Sequence, residues 1–460
     1  MTAQTSNLGG VDPARLAKLA QKAGRDYAAA RPKTRKALRD HAGDWLNGVP
    51  MHWMRDWPQP FPMIVAHAQD ATITDLDGHH IDDFCLGDTG AMFGHSPPAV
   101  TRAIRAQARQ GLATMLPTPD ALAVGQALSH RFGRMRWQVA TTATDANRFA
   151  LRVARAVTGK PKVLVFNGCY HGTVDEAMVC LDDTGHTAAR PGLVGQAADL
   201  TETAVVVEFN DIEAVRVALA QGDIAALLTE PVMTNSCMVL PDAGFHDGLR
   251  KLTREHDALL IIDETHSQSS GLGGYARVHS LSPDILVIGK CIAGGMPAAV
   301  WGMTPALAER FAAYDAARPA GHSGMGTTLS ANPMQMACLR ATLDKVATRK
   351  AFARMETGAA RLESGLAAAI TRHKAPWHVV RVGARVEFIC WPDRLKNGAE
   401  AARAHAPQVE AVVHAMLLNR RCLIAPFHNM MLVSPVTSTA QIDRLIAAFD
   451  AVLAALFKDK

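Results

Sequence analysis

The sequence predicts an α/β protein whose core is a parallel β-sheet flanked by helices. Two short runs, Leu259–Ile262 and Ile285–Ile288, are apolar at every position and rich in β-branched residues. Such runs are typical of strands that are buried on both faces, as in parallel sheets. Asp263 follows the first run directly, and Lys290 follows the second after one glycine. Because open α/β sheets hold ligands beyond the carboxyl ends of their strands, we expect both side chains in one crevice.

The length of the chain predicts more than one domain. With 460 residues it can form two or three domains, each with its own hydrophobic core. We expect an N-terminal arm with part of a small domain over residues 1–116, a large domain over 117–345 and a C-terminal small domain over 346–460.

The composition excludes several classes of protein. Apolar residues make up 48% of the chain and charged residues 20%, which is ordinary for a soluble globular protein. The net charge of +5 is small for this length and no basic block stands out, so we expect no nucleic-acid partner. None of the eight cysteines forms a Cys-x-x-Cys pair, so neither a metal site nor a disulfide is predicted. The sequence contains no pattern typical of a signal peptide or a membrane span, which predicts a cytoplasmic protein without a membrane partner.

Asp263 and Lys290 together suit one particular cofactor. A lysine can hold pyridoxal phosphate (PLP) as a Schiff base, and a carboxylate can pair with the protonated nitrogen of its pyridine ring, which makes the ring an electron sink. The glycine-rich turn over 293–297 lets the backbone approach a ligand closely. The alternative is a structural Asp–Lys pair at the edge of the sheet, and spacing alone leaves both interpretations open.

The sequences of these motifs resemble those of a known family. IIDETHS followed by IGKCIAGGMP is similar to the paired signature of class III aminotransferases, with the glutamate semialdehyde aminomutases and β-amino-acid transaminases nearest, and the resemblance covers roughly residues 50 to 450. It implies a fold type I PLP-dependent transferase, with a mainly parallel seven-stranded sheet sandwiched by helices in the large domain. A smaller α/β domain would come from the N- and C-terminal segments. The resemblance also implies Lys290 and Asp263 as catalytic residues.

The turn Thr142-Ala143-Thr144 is a candidate phosphate site. It precedes a segment with apolar residues at helical spacing, and a helix N-terminus offers free N–H groups and a favourable dipole to an anion. The same turn is also what a helix N-cap without any ligand looks like. In the resembling family this position reads Ser-Gly-Thr-Glu-Ala, so Ala143 replaces a glycine.

Further cofactor contacts are implied by the resemblance alone. Tyr170, in a Tyr-His-Gly motif, would stack on the pyridine ring, and Asn235 would donate to its phenolic oxygen. Glu230, at the start of the same EPVxxN element, would organise the site by accepting hydrogen bonds. Thr328, with Thr327 as the alternative, would reach the phosphate in the neighbouring subunit, which implies a homodimer with shared active sites.

Three residues concern the cofactor ring and the substrate. Thr265 occupies the position that usually carries a small apolar residue under the ring, and His266 follows it. His266 could be a second proton carrier, a hydrogen-bond donor to substrate or a structural histidine. Arg55, shortly before a Pro-Phe-Pro segment, resembles the arginine that binds the substrate carboxylate through two hydrogen bonds. On the residues alone, Arg55 is equally a solvated loop arginine.

These observations predict a PLP-dependent aminotransferase that moves an amino group between an amino acid and a keto acid. Aromatic and methionine-rich segments near Trp53 and Met92 favour a β-amino or aromatic amino acid, although the same residues suit core or interface packing. The alternatives are an intramolecular aminomutase of the glutamate semialdehyde type and an amino-acid racemase or epimerase. A catalytically silent binding protein with the same fold would lack the absorbance band of the bound cofactor.

Overall fold

The computed structural model describes residues 7–41, 43–425 and 428–458. The helices are α1 (Pro13–Ala30), α2 (Pro32–Asp40), α3 (Pro98–Gln107), α4 (Pro119–Phe132), α5 (Ala143–Thr158), α6 (Ile212–Leu219), α7 (Phe245–Glu255), α8 (Gly274–Val278), α9 (Pro305–Ala317), α10 (Pro333–Ala341), α11 (Arg349–Arg372), α12 (Gly398–Ala404), α13 (Pro407–Asn419) and α14 (Thr439–Leu456).

The strands are β1 (Val65–Gln69), β2 (Thr72–Asp75), β3 (His80–Asp83), β4 (Arg136–Ala140), β5 (Lys162–Phe166), β6 (Val179–Leu181), β7 (Thr187–Ala189), β8 (Ala204–Val207), β9 (Ile224–Thr229), β10 (Leu259–Asp263), β11 (Ile285–Ile288), β12 (Ala299–Met303), β13 (His378–Val382), β14 (Arg385–Ile389), β15 (Cys422–Leu423) and β16 (Met430–Leu432).

The chain divides into two compact units. The first unit comprises Met1–Ser96, Lys350–Arg394 and Arg403–Lys460. The second comprises Pro97–Arg349 with Leu395–Ala402. No helix in the described part of the chain is both long enough and apolar enough to cross a lipid bilayer.

The second unit is built on the seven-stranded sheet, with strand order β4-β12-β11-β10-β9-β5-β8. Strands β8, β5, β9, β10 and β11 are parallel to one another, whereas β12 runs antiparallel to both β11 and β4. The mainly parallel sheet expected from the sequence is therefore confirmed. Because β4 has the same direction as β11, the ends of β4, β10 and β11 lie at one edge, and the segments that follow them emerge together there.

Strands β10 and β11 are buried at every residue, which explains their continuous apolar sequences. Helix α5 packs on the sheet with an apolar stripe that includes Phe149, Ala150 and Val153. The helix begins where Thr142 Oγ1 accepts from the N–H of Asp145 at 3.1 Å, and it ends at left-handed Gly159. Its N-terminus is thereby fixed just beyond the end of β4.

The first unit is also of mixed α/β type. It contains a four-stranded sheet, β1-β2-β3-β15, and a three-stranded sheet, β13-β14-β16. Its core joins apolar residues of helices α11, α13 and α14 to those of β14, with Phe388, Leu362, Val413 and Phe449 fully buried.

Candidate active site

Asp263, the last residue of β10, is a buried carboxylate with three donors around it. Its Oδ2 accepts from Asn147 Nδ2 at 2.8 Å and lies 3.0 Å from His171 Nδ1, while its Oδ1 accepts from the N–H of Thr265 at 3.0 Å. Asn147, on α5, also donates to the carbonyl of His171 at 3.1 Å. Helix α5 and the loop after β5 therefore hold the carboxylate from two sides.

The charge of this pair follows from its surroundings. Burial on its own raises the pKa of Asp263, but the hydrogen bond and charge of His171 outweigh burial and lower the pKa below the ordinary aspartate value. Burial on its own lowers the pKa of His171, but Asp263 and the neighbouring Cys169 raise it well above the ordinary histidine value. Asp263 is therefore an anion at neutral pH.

Lys290 lies beyond the end of β11, where three segments meet closely. A Cβ built on Gly289 would lie 2.8 Å from Ala143 Cβ and 3.3 Å from the Thr265 side chain. Only glycine allows this approach, so the strand end, the first turn of α5 and the residue two places after Asp263 form one corner. The backbone of Lys290 itself is left-handed, with φ at +47°.

The amine of Lys290 contacts a chain of buried polar groups. Its Nζ lies 2.6 Å from His266 Nε2, and His266 Nδ1 lies 2.7 Å from Thr234 Oγ1. The Thr234 hydroxyl makes a short hydrogen bond to Glu230 Oε2, and Asn235 Nδ2 is 3.4 Å from both Glu230 Oε1 and His266 Nδ1. Burial raises the pKa of Glu230, although the charge of His171 and the Thr234 hydroxyl oppose this shift.

The N-terminus of α5 offers a cradle for an anion. The Thr142 hydroxyl caps the helix and donates to Asp145 Oδ2 at 3.0 Å, and Thr144 Oγ1 accepts from the N–H of Thr173 at 3.2 Å. Thr265 Oγ1 is buried at the same corner and makes no well-formed hydrogen bond within the described residues. The N–H groups of the first turn and this hydroxyl suit a phosphate group.

The loop that carries Tyr170 and His171 is fixed to α5 by a glycine. A Cβ on Gly172, where φ is +78°, would lie 2.1 Å from Thr144 Oγ1 and 3.0 Å from Thr144 Cα. We expect Gly172→Ala to lower the free energy of unfolding by about 3 kcal/mol, from left-handed strain and overpacking together. Chemical denaturation of purified protein measures this loss.

Gly185→Ala is the matched control for that prediction. Gly185 has almost the same φ, +81°, but no atom of the described residues lies within 4 Å of its built Cβ. Its replacement should cost only the backbone strain, about 1 kcal/mol. Equal losses in the two variants would contradict a close contact between Gly172 and Thr144.

The remaining predicted residues lie at varied positions. Tyr170 is 43% exposed, so a face of its ring is accessible to a ligand. Thr328 is exposed, whereas the Thr327 hydroxyl is 2.7 Å from Ser330 Oγ. Arg55 is exposed at the end of a short 3-10 helix, His52–Arg55, and belongs to the first unit. The second unit thus contains Asp263, Lys290 and the other predicted residues except Arg55, with Thr328 on its surface.

Three residues of the site are not predicted by the sequence. Asn147 is fully buried beside the apolar stripe of α5, and an amide at such a position signals a specific partner. Nothing in the sequence indicates Thr234 as a residue of the site except its position directly before Asn235. His171 was visible in the Tyr-His-Gly motif but had no assigned task, because its contact with Asp263 depends on the fold.

These residues fit the cofactor that the sequence predicts. A pyridine ring with an aldehyde and a phosphate needs a buried anion, an amine and an anion-binding helix terminus, and the three lie at one edge of this sheet. The fold and the site therefore define a PLP-dependent enzyme of fold type I.

The chain belongs to the class III aminotransferase family. The family profile, described as aminotransferase class-III, matches residues 53–453. A solved structure described as a glutamate-1-semialdehyde-aminomutase from Pseudomonas aeruginosa PAO1 is 47% identical, with a TM-score of 0.95 over 97% of this chain and 100% of that one. A lysine-to-alanine variant of that protein was solved in complex with PMP.

Two further relatives show the breadth of the family. Glutamate-1-semialdehyde 2,1-aminomutase of Roseiflexus castenholzii is 32% identical over 392 residues, which cover 84% of this chain and 89% of that protein. An omega-transaminase from Sphaerobacter thermophilus is 25% identical, with a TM-score of 0.85 over 93% of this chain and 99% of that one. Both kinds of reaction therefore occur among proteins similar to this chain.

Proposed function

We propose that this protein is an aminomutase of the glutamate semialdehyde type, which moves an amino group between two carbons of one substrate. The observation that carries the proposal is 47% identity, over nearly the whole chain, to a protein described as such an aminomutase. The more distant relatives in which the same name recurs support it. This proposal replaces the aminotransferase hypothesis drawn from the sequence, for which the comparisons offer weaker support.

The proposed roles of the residues follow from their chemistry. PLP, when bound, supplies an electron sink next to the carbon that carries the amino group. Lys290 binds the cofactor covalently and, once released, accepts and returns a proton at Nζ. Asp263 keeps a proton on the ring nitrogen by its negative charge. Tyr170 offers a ring face for stacking.

The phosphate and the phenolic oxygen need their own donors. We assign the phosphate to the first-turn N–H groups of α5, over Thr142, Ala143 and Thr144, with the buried hydroxyl of Thr265 beside them. We assign the phenolic oxygen to the amide of Asn235, whose Nδ2 also lies 3.4 Å from Glu230 Oε1.

A homodimer with shared sites remains part of the proposal. The second unit exposes large apolar side chains that a partner subunit would cover, and Thr328 is exposed beside the likewise exposed Leu329. We assign the contact with the partner subunit's phosphate to Thr328, because the Thr327 hydroxyl is already engaged by Ser330. The exposed apolar side chains are Leu112, Met115, Leu116 and Leu122.

Arg55 is the proposed ligand of the substrate carboxylate. Replacing it by methionine keeps the length of the side chain but removes the guanidinium, so we expect KM for a carboxylate substrate to rise about 30-fold, the equivalent of a lost charged hydrogen bond. Steady-state kinetics with an amine that lacks the carboxylate is the control, since its KM should not change. An equal rise with both substrates would contradict direct binding.

The function is tested by supplying one substrate and no second reactant. The holoenzyme, prepared once with PLP and once with PMP, is incubated with glutamate 1-semialdehyde, and the products are followed by NMR. An aminomutase forms an isomer of the same mass, with the amino group moved from carbon 2 to carbon 1, and needs no acceptor. Turnover that occurs only with an added keto acid, with release of an equal amount of keto product, would show an aminotransferase instead.

A further inference from the structure

We propose that His266 is a catalytic proton carrier that exchanges a proton directly with Lys290. Thr234 and Glu230 are the residues that position its ring and stabilise its charge. The proposal deepens the function proposed above, because it rests on Lys290 acting as the amine that moves protons in this site.

The geometry that supports the proposal is a continuous chain of four side chains. It runs from Lys290 Nζ to His266 Nε2 at 2.6 Å, from His266 Nδ1 to Thr234 Oγ1 at 2.7 Å, and from that hydroxyl to Glu230 Oε2. His266 is 5% exposed, Thr234 1% and Glu230 6%. Solvent therefore has little access to these groups, and the chain connects the amine of Lys290 with a buried carboxylate.

The donors in this chain fix the tautomer of His266. Glu230 receives three donors, namely the N–H and hydroxyl of Thr234 and the amide of Asn235, and together these donors favour its ionised form against the burial that raises its pKa. Because the Thr234 hydroxyl gives its single proton to Glu230, it must accept from His266 Nδ1–H. The neutral ring then directs the lone pair of Nε2 at Lys290 Nζ.

This arrangement allows a balanced proton transfer. One N–H bond of the Lys290 ammonium breaks and one forms at His266 Nε2, which leaves a neutral amine and an imidazolium. The Nδ1–H of the imidazolium stays on Thr234, and the negative charge of Glu230 lies beyond that hydroxyl. A neutral amine can take a proton from a substrate carbon, whereas an ammonium cannot, and the reverse transfer restores the starting state.

A structural role for His266 makes different predictions. A histidine that only fills space and ties Thr234 in place would influence the reaction through the fold, and a small base in solution could not replace it. A proton carrier, in contrast, leaves a gap that added imidazole can enter after truncation. With a cofactor bound at Lys290, His266 would also contact the Lys290 nitrogen, and the absorbance of the resting enzyme would report that contact.

The test compares holoenzymes of His266→Ala, Thr234→Val and Thr234→Ser by two measurements. The first is the single-turnover rate at which an amino substrate bleaches the visible cofactor band. We expect it to fall about 100-fold in His266→Ala and to recover partly with added imidazole. Thr234→Val should fall by a smaller factor and Thr234→Ser, which keeps the hydroxyl, should stay near wild type.

The second measurement is the pH titration of the visible band in the resting holoenzyme, without substrate. A neutral imidazole that accepts from Lys290 Nζ would stabilise the form of the holoenzyme in which Nζ carries a proton, so the midpoint should lie lower in His266→Ala than in wild type. Thr253→Val is the control for both measurements. It also exchanges a buried hydroxyl for a methyl, but this hydroxyl bonds back to Leu249 in its own helix.

The outcomes separate this proposal from the proposed function. An unshifted band in His266→Ala, or a slow rate that imidazole does not restore, would overturn the role of His266. Both measurements need only an amino substrate and Lys290, so they keep their meaning if the enzyme turns out to be an aminotransferase. Failure to isomerise glutamate 1-semialdehyde would therefore refute the aminomutase proposal alone.

Discussion

Lys290→Ala should lose the visible band of the lysine-bound cofactor and at least about 10⁴-fold of its turnover. The change removes both the covalent attachment and the amine that carries the proton, and alanine offers no substitute for either. Reduction of the holoenzyme with borohydride followed by mass spectrometry measures the first effect. Stopped-flow absorbance measures the second.

Lys251→Ala is the control for this prediction. Lys251 lies on the exposed face of α7, in the same unit, where it pairs with Glu255 one turn away at 3.8 Å. Its replacement should change neither the band nor the rate. A cofactor adduct trapped on Lys290→Ala would show that another lysine is the attachment site.

Asp263→Asn should lower turnover about 10³-fold while the protein still binds its cofactor through Lys290. An amide has nearly the shape of the carboxylate but no charge, so it cannot hold a proton on the ring nitrogen. The chemistry would fail at the step in which negative charge enters the ring. Asp211→Asn, an exposed Asp in the same unit that caps α6, is the control, because asparagine caps a helix equally well.

Asp263→Asn should also lower the free energy of unfolding, by about 3 kcal/mol in the cofactor-free protein near pH 6. Because the pKa of His171 is raised, its contribution to the free energy of unfolding is complete below the ordinary histidine pKa of about 6.5. This contribution is lost as the pH rises through the raised pKa. Because the pKa of Asp263 is lowered, its contribution to the free energy of unfolding is complete above about pH 3.9, the ordinary aspartate pKa. This contribution is lost as the pH falls through the lowered pKa. Denaturant unfolding at pH 6 and pH 10 measures the difference in the free energy of unfolding between wild type and Asp263→Asn. This difference should be smaller at pH 10.

The fold could be predicted because the strongest sequence signals coincide with it. Strands β10 and β11 are buried on both faces, so each had to be apolar throughout, and the polar residues after them marked the ends. Asp263 and Lys290 could be paired for the same reason, since parallel neighbours end at the same edge of a sheet.

The finer contacts could not be predicted, because they join residues that are distant in the chain. The hydroxyl of Thr144 accepts from the N–H of Thr173, a contact that the sequence alone cannot predict. The adjacent acid Glu264 shows the same limit, since it holds the backbone N–H groups of Tyr275 and Ala276 at 2.7 and 2.6 Å. Two neighbouring carboxylates thus have unrelated tasks that only the tertiary structure reveals.

The motifs of the sequence are shared by aminomutases and aminotransferases for a chemical reason. Lys290 and Asp263 serve the two reactions equally, and the reactions differ in whether the deaminated product stays or leaves. That difference depends on how the enzyme retains a small molecule.

The left-handed backbone at Lys290 has a consequence for the evolution of this protein. With φ at +47°, a lysine costs roughly 1 kcal/mol more than glycine would at the same place. A substitution of Lys290 by glycine would therefore stabilise the fold but abolish catalysis. Only selection for turnover maintains a side chain here, so a lineage that lost the need for catalysis should lose this lysine early and keep the fold.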